Sequence, residues 1–340
     1  MMPLEKESQQ LHLQLGPFQG ITDVHYRMVF KDYFEGIDKF FTPFFTGIQK
    51  DNSRSLRTDE IDPKLNNVKV TVPQILSNDA EEIIRFSQQC KAMGYNEVNL
   101  NMGCPYPMVA KKKRGSGLMP YSELIGSMFD RLNGNLATDF SIKCRLGYND
   151  PDEIDELLPL FNSFNLSELI VHARVGTQMY KGVSDVDRFA SIIPAVKTKL
   201  VYNGDIFSTN SFQIVQQKLE GIQSWMLGRG ILADPFLASD LKGISTSLTS
   251  EERKSIVYHF ITALYIRRRE VKGENPSILG RMKEIWSYMR WSFDEPLTLW
   301  RLIRKVNTFD TYDEAIEQIF SELTWKGSGY SIATPAREVD

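Results

Sequence analysis

The chain has 340 residues, 42% of them apolar and 24% charged, with a formal net charge of -3. That is the profile of a soluble globular protein; no apolar run approaches the ~20 residues of a membrane span, and Met1 to Gln10 lacks the apolar core of a signal peptide. Three cysteines (Cys90, Cys104, Cys144) without a Cys-x-x-Cys pair, and four histidines without ligand spacing, speak against a disulfide framework or a metal site. The expectation is therefore a metal-free, membrane-free, cytoplasmic protein acting as a monomer.

From residue 11 to about 240, short strand-like runs alternate with amphipathic stretches. The runs cover 11–15, 40–45, 68–76, 97–102, 140–146, 168–172, 200–202 and 225–227. The clearest helix lies over 80–93, with Ile83, Ile84 and Phe86 apolar and Gly94 as its stop. Eight strands alternating with helices is the count of a (β/α)8 TIM barrel of the α/β class. A doubly wound sheet uses a similar alternation, but no Gly-x-Gly-x-x-Gly follows the first strand.

After Gly243 the pattern becomes helical. Helices are expected over 251–272 (Ile256, Phe260 and Leu264 on one face), 278–292 (Met282, Ile285, Trp286 and Met289 inward) and 296–306. A fourth should start at a capping box, Thr311-x-x-Glu314. The expected division is a catalytic barrel over 1–243, a C-terminal all-helical domain over 244–325 and a frayed tail over 326–340. Residues 251–305 hold twelve Lys/Arg and seven Asp/Glu, a net +5 on a body of -8, which is a footprint for a polyanion.

The densest motif is Asn99-Leu100-Asn101-Met102-Gly103-Cys104-Pro105. A strand pattern ends in a Gly-Cys-Pro turn, followed by a polar loop over 106–117 with Lys111, Lys112, Lys113 and Arg114. Cys104 reads equally well as a small buried hydrophobe or as a reactive thiol beside positive charge. Polar residues recur at the other strand ends: Gln19, Gln74, Asn101, Lys143, Arg145, His172, Arg174, Asn203, Asp205 and Arg229. In a barrel these ends converge on one mouth. Lys143 and Arg145 flank Cys144, so at least one should face inward and require an anionic partner. The turns Asn203-Gly204-Asp205 and Gly228-Arg229-Gly230 follow the seventh and eighth strands, where barrels bind phosphate. A phosphate-bearing cofactor such as FMN fits them. Lys143 would then suit the electron-rich edge of a reduced flavin, and Gln74 its ring amide edge.

These motifs carry a family resemblance. Gly16-Pro17-Phe18-Gln19-Gly20-Ile21-Thr22-Asp23, Asn99 to Pro105, Lys143 to Gly147, His172-Ala173-Arg174, Tyr180-x-Gly182, Asn203-Gly204-Asp205 and Gly228-Arg229-Gly230 resemble the tRNA-dihydrouridine synthases in order and spacing. The run Arg281-Met282-Lys283 through Trp286, Ser287-Tyr288 and Arg290 looks most like their class C branch. The resemblance implies FMN-dependent reduction of the C5–C6 bond of a D-loop uridine in tRNA, with NADPH as reductant. It implies Cys104 as the general acid. It implies FMN contacts at Pro17, Phe18, Gln19, Gln74, Lys143, His172, Asn203, Gly204, Asp205, Gly228 and Arg229. Asn101, Arg145 and Arg174 would lie near the base, with Arg281, Lys283 and Arg290 on the RNA. The chain departs from the family pattern at Phe18, at Val175 after His-x-Arg, and at Tyr106-Pro107-Met108. Two other readings are a small-molecule FMN dehydrogenase of the dihydroorotate kind, which needs no basic appendage, and a tRNA-binding protein without catalysis.

Overall fold

A computed structural model describes residues 11–48 and 58–331. The polar stretch Met1 to Gln10 and the tail beyond Ser331 lie outside the described residues. The parallel strands are β1 (His12–Leu15), β2 (Lys39–Phe41), β3 (Thr71–Val72), β4 (Gln74–Ile75), β5 (Glu97–Met102), β6 (Asp139–Gly147), β7 (Leu169–Val175), β8 (Leu200–Asn203) and β9 (Ser224–Leu227). Their order in the sheet is β3-β2-β1-β9-β8-β7-β6-β5-β4.

The two ends of that row, β3 and β4, are consecutive in the chain with only Pro73 between them. β3 pairs with β2 (Phe40 opposite Thr71) and β4 with β5 (Gln74 opposite Asn99), so the row closes into a barrel. The strand expected over 68–76 is thus one barrel strand split in two. Proline has no N–H to give to a ladder, and the pairing partner changes at that point. Its carbonyl still accepts from the Asn99 N–H at 2.9 Å.

Helices α1 (Val24–Tyr33), α2 (Thr58–Ile61), α3 (Ala80–Ala92), α4 (Pro107–Ala110), α5 (Ser122–Leu132), α6 (Glu153–Ser163), α7 (Val186–Ile192), α8 (Thr209–Lys218), α9 (Arg229–Ala233) and α10 (Leu237–Leu241) fill the connections. The barrel interior is layered. Near the amino ends, Lys39 bridges Glu97 (2.7 Å) and Glu168 (2.9 Å), and Gln14 donates to Glu168. Phe41, Val72, Ile170, Val201 and Met226 form an apolar layer above. The carboxyl-end layer is polar: Gln74, Asn101, Lys143, His172 and Asn203. A closed hydrophobic floor beneath a polar rim confines chemistry to the mouth.

The C-terminal helices are α11 (Ser250–Lys272), α12 (Ser277–Met289), α13 (Pro296–Lys305) and α14 (Phe309–Glu322). Phe260 of α11 packs edge-on against Tyr26 (5.7 Å) and Phe34 (5.0 Å), and the buried Arg268 meets Asp23, the N-cap of α1, at 3.1 Å. The buried face of α11 is Val257, Phe260, Ile261, Leu264, Tyr265 and Arg268; Ile256, expected on it, is only half-buried. Met282, Ile285, Trp286 and Met289 of α12 are fully buried as expected. The cap of α14 is Thr308, boxed with Thr311, one turn before the expected Thr311/Glu314 pair. One continuous hydrophobic cluster runs from the barrel into these helices. No described helix is long and apolar enough to cross a membrane.

Two expectations are corrected. The loop over 106–117 is folded: α4 is followed by a buried 3-10 turn, Gly115–Leu118. The tail is ordered as far as Ser331, because the Lys326 and Gly327 N–H groups donate to the Ser292 carbonyl (2.7 and 3.1 Å) and Tyr330 is only 3% exposed.

Candidate active site

A cavity of about 430 Å³ opens at the carboxyl ends of the strands. Pro17, Phe18, Gln19, Gln74, Asn101, Cys104, Lys143, Arg145, His172, Asn203, Gly204, Gly228 and Arg229 all line it.

The β5 corner is built by amides. Asn101 accepts from the Gly103 N–H (3.0 Å) and the Cys104 N–H (2.9 Å), while its own amide donates to Gln74 at 2.7 Å. Gln74 in turn donates to Asn99 at 2.8 Å. Asn101 therefore fixes the turn that presents the thiol. From the other side, Ser116 donates to the Cys104 carbonyl with its N–H and its hydroxyl, each at 3.0 Å. That approach requires the preceding Gly115, at φ +59, whose Cβ would lie 2.5 Å from the same carbonyl oxygen. Arg145 donates to the carbonyls of Gly103 (2.9 Å), Val175 (2.9 Å) and Met179 (2.8 Å), tying β5, β6 and the loop after β7 together.

Burial is the largest influence on the Cys104 thiol. It raises the pKa above the ordinary value, against the lowering effects of a Tyr106 N–H, Arg145 and Lys143. The group is held as a thiol, a proton donor. The Lys143 pKa is lowered to about 8, first by burial and then by Arg145. Its ammonium donates to the side-chain amide oxygen of Asn203, Oδ1, at 3.0 Å. Among the described residues it has no carboxylate partner, which makes it a cation waiting for an electron-rich ligand. His172 is held well below the ordinary imidazole range, first by burial and then by the surrounding cations. Arg174 lies 3.1 Å from its Nε2; a guanidinium can only donate, so Nε2 accepts and the proton of the neutral ring sits on Nδ1.

At the β8–β9 corner, Asp205 takes Arg229 on one oxygen (2.8 Å) and Arg174 and the Ser184 N–H on the other. Asp205 and Arg174 lie outside the cavity lining: Asp205 holds Arg229 from behind, and Arg174 faces His172.

Across 14–316 the chain matches the family model for dihydrouridine synthase. The chain belongs to the dihydrouridine synthase family. A tRNA-dihydrouridine(16) synthase of Neisseria meningitidis serogroup B is 27% identical over 332 residues, covering 93% of this chain and 96% of that protein. Another, from Vibrio parahaemolyticus, is 30% identical over 253 residues, covering 72% and 74%. As a dihydrouridine synthase, the chain is a flavin-dependent oxidoreductase. The cavity suits a flavin: cationic side chains on its wall, amides on one edge, and strand-end glycines.

Sequence reading missed several of this dihydrouridine synthase's cavity residues. Phe44, Tyr106, Met179, Tyr180, Lys181 and Tyr288 also line the cavity. Tyr180 and Tyr288 stood in the resembling motifs without a role. Tyr288 comes from α12 and meets Phe18 edge-on at 6.2 Å, so the helical appendage supplies part of the wall. Tyr106 (53% exposed) and Met108 (82% exposed) form an apolar rim beside Cys104, with exposed Lys111, Lys112 and Lys113 behind them.

Of the RNA candidates, Arg281 covers the first barrel loop. A Cβ at Gly20 would lie 1.8 Å from its Nη1, and its partner is Glu284 at 3.1 Å. Lys283 is half-exposed and donates to the Arg304 carbonyl at 3.0 Å. Arg290 is a correction: it is 2% exposed, with its guanidinium 4.7 Å from the Trp291 ring and 4.6 Å from the Trp300 ring. Its guanidinium is engaged with two indoles inside the fold.

Proposed function

We propose that this chain reduces the C5–C6 double bond of a uridine in the tRNA D-loop to dihydrouridine, with FMN as cofactor and NADPH as reductant. The observation that carries this reading is a cavity-lining Lys143, without a carboxylate partner among the described residues, on the same wall as a buried Cys104 kept in its thiol form. Bound FMN would supply a hydride to C6 of the pyrimidine. Cys104 would then give its Sγ proton to C5, where negative charge develops, and the thiolate left behind is stabilised by the Tyr106 N–H, Arg145 and Lys143.

The other residues hold the pieces. Lys143 and Gln74 suit the flavin ring edge, and His172 can donate from Nδ1. Gly204, Gly228 and Arg229 suit the phosphate, with Pro17, Phe18, Gln19 and Asn203 completing the bed. Asn101 acts by shaping the Cys104 turn, and Arg145 orders the base side of the cavity. A uridine must leave its stack to reach a barrel mouth, so base flipping is part of the reaction. Arg281, beside the first barrel loop, and Lys283, beside α13, would hold the RNA backbone.

The test is dihydrouridine mapping in tRNA from cells with and without the gene, with position 16 inspected first because the relatives' names carry it. Loss of one dihydrouridine, restored by the wild-type gene but not by Cys104→Ala, is the expected result. An unchanged map, with turnover of free dihydropyrimidines by the purified yellow protein, would favour the small-molecule dehydrogenase reading.

A further inference from the structure

The three aromatic rings around Arg229 come from three separate parts of the chain. Its guanidinium carbon lies 5.3 Å from the Tyr180 ring, 5.4 Å from Phe207 and 5.8 Å from Tyr330. Tyr180 follows β7 and Phe207 follows β8, as barrel loops should. Tyr330 comes from the far end of the chain.

We propose that the segment Lys326–Ser331 is a strap that belongs to the cofactor grip, and that Tyr330 is a positioning residue holding Arg229 in register with the flavin phosphate. This rests on the reading of Arg229 as the phosphate ligand.

The strap is fastened to the helix that carries Arg229. Ser328 donates to Asp234 Oδ2 with its N–H (2.9 Å) and its hydroxyl (3.0 Å), and Asp234 is the C-cap of α9, which Arg229 begins. Lys326 and Gly327 donate to the Ser292 carbonyl, and the Ser292 hydroxyl donates to the Ala233 carbonyl at 2.8 Å. Position 329 must be glycine, because a Cβ there would lie 1.8 Å from the Trp291 carbonyl oxygen. These ties bring the Tyr330 ring to 5.1 Å from Phe207 and 6.0 Å from Tyr288, the latter a cavity residue.

Phe207, Ala233 and Tyr330 form a small apolar cluster separate from the main core. The strap's ring therefore packs on Phe207 beside Arg229, outside the main core. Arginine has many rotamers, and an ion pair to Asp205 on one nitrogen leaves it free to swing. Ring faces on its other sides, each attractive to a cation, narrow that freedom before the ligand arrives.

The test compares two ligands that differ only in the phosphate. FMN and riboflavin dissociation constants are measured by flavin fluorescence on the flavin-stripped full chain. The variants are Tyr330→Ala, Tyr330→Leu, Tyr330→Phe, Arg229→Ala and the Arg229→Ala/Tyr330→Ala double. Melting of the flavin-free proteins shows which are folded. Tyr330→Ala and Tyr330→Leu should each weaken FMN about fivefold, the scale of one lost cation–π contact. Both should leave riboflavin binding at the wild-type value. Tyr330→Phe should bind both ligands as wild type does, and Tyr330→Ala should add nothing once Arg229 is gone. FMN binding at wild-type strength in folded Tyr330→Leu, or equal loss of FMN and riboflavin, would overturn the inference while leaving Arg229 as phosphate ligand. Undiminished FMN binding by Arg229→Ala would overturn that underlying reading and the inference with it.

Discussion

The two sides of the cavity treat positive charge in opposite ways. On the β8–β9 side, Arg174 and Arg229 share Asp205, and three rings surround Arg229. On the β5–β6 side, Lys143 meets an amide oxygen and no carboxylate among the described residues, and Cys104 keeps its proton against two nearby cations. Ion pairs on both oxygens of Asp205 make the β8–β9 side a fixed anchor. The unpaired lysine and the buried thiol are the groups whose protonation a ligand can change. The difference separates a holding side from a reacting side.

Removing the reacting group should have the largest effect. Cys104→Ala should lower dihydrouridine formation by ~10²–10⁴, the usual span for a lost general acid, with flavin content as in wild type. Loss of flavin in that variant would merge the two sides. Next, Arg229→Ala should weaken FMN by roughly 10–100-fold, the worth of one charge-assisted hydrogen bond to phosphate, read by equilibrium dialysis.

Lys143 gives a pH signature. In the free protein its pKa is lowered to about 8, so the ammonium is present below that pH and lost above it. A ligand that needs the charge should bind with constant affinity below about pH 8 and weaken by up to ~tenfold per pH unit above it. Lys143→Met should remove this slope. The same shift affects folding: the unfolded lysine still holds its proton above pH 8, so the unfolded state binds more protons there. Lys143 therefore costs stability below about pH 8, and the cost fades as pH rises toward the ordinary lysine value.

The smallest effect concerns the appendage. Arg281→Ala with Lys283→Ala should weaken tRNA binding and reduce its salt slope by ~1–2, one unit or less per phosphate contact. Arg290→Ala should instead lower the melting temperature. A salt slope unchanged in the double variant would move the RNA surface to Lys111, Lys112 and Lys113.

The barrel and the list of strand-end residues were legible because strand periodicity and turn glycines are local signals. Lys143 and His172 line the cavity from the middles of β6 and β7, Asn203 ends β8, and Arg229 stands two residues past β9. What escaped depends on partners far apart in sequence. Asp205 read as a ligand because Arg174, 31 residues earlier, could not be seen closing on it. Arg290 is the exception: its indole partners, Trp291 and Trp300, are near in sequence, but nothing in the sequence shows both rings turning onto the guanidinium. Tyr330 read as tail because its contacts are on Phe207 and α12. The Pro73 break shows the intermediate case: the proline was visible, but a change of pairing partner there follows only from barrel closure.

The division into a holding side and a reacting side is tested most directly by separating the half-reactions of Cys104→Ala in an anaerobic stopped-flow experiment. The account predicts flavin reduction by NADPH at the wild-type rate, followed by reoxidation with unmodified tRNA slowed by ~10²–10⁴. Reoxidation by tRNA as fast as in wild type would show that Cys104 does not deliver the proton and would contradict the account.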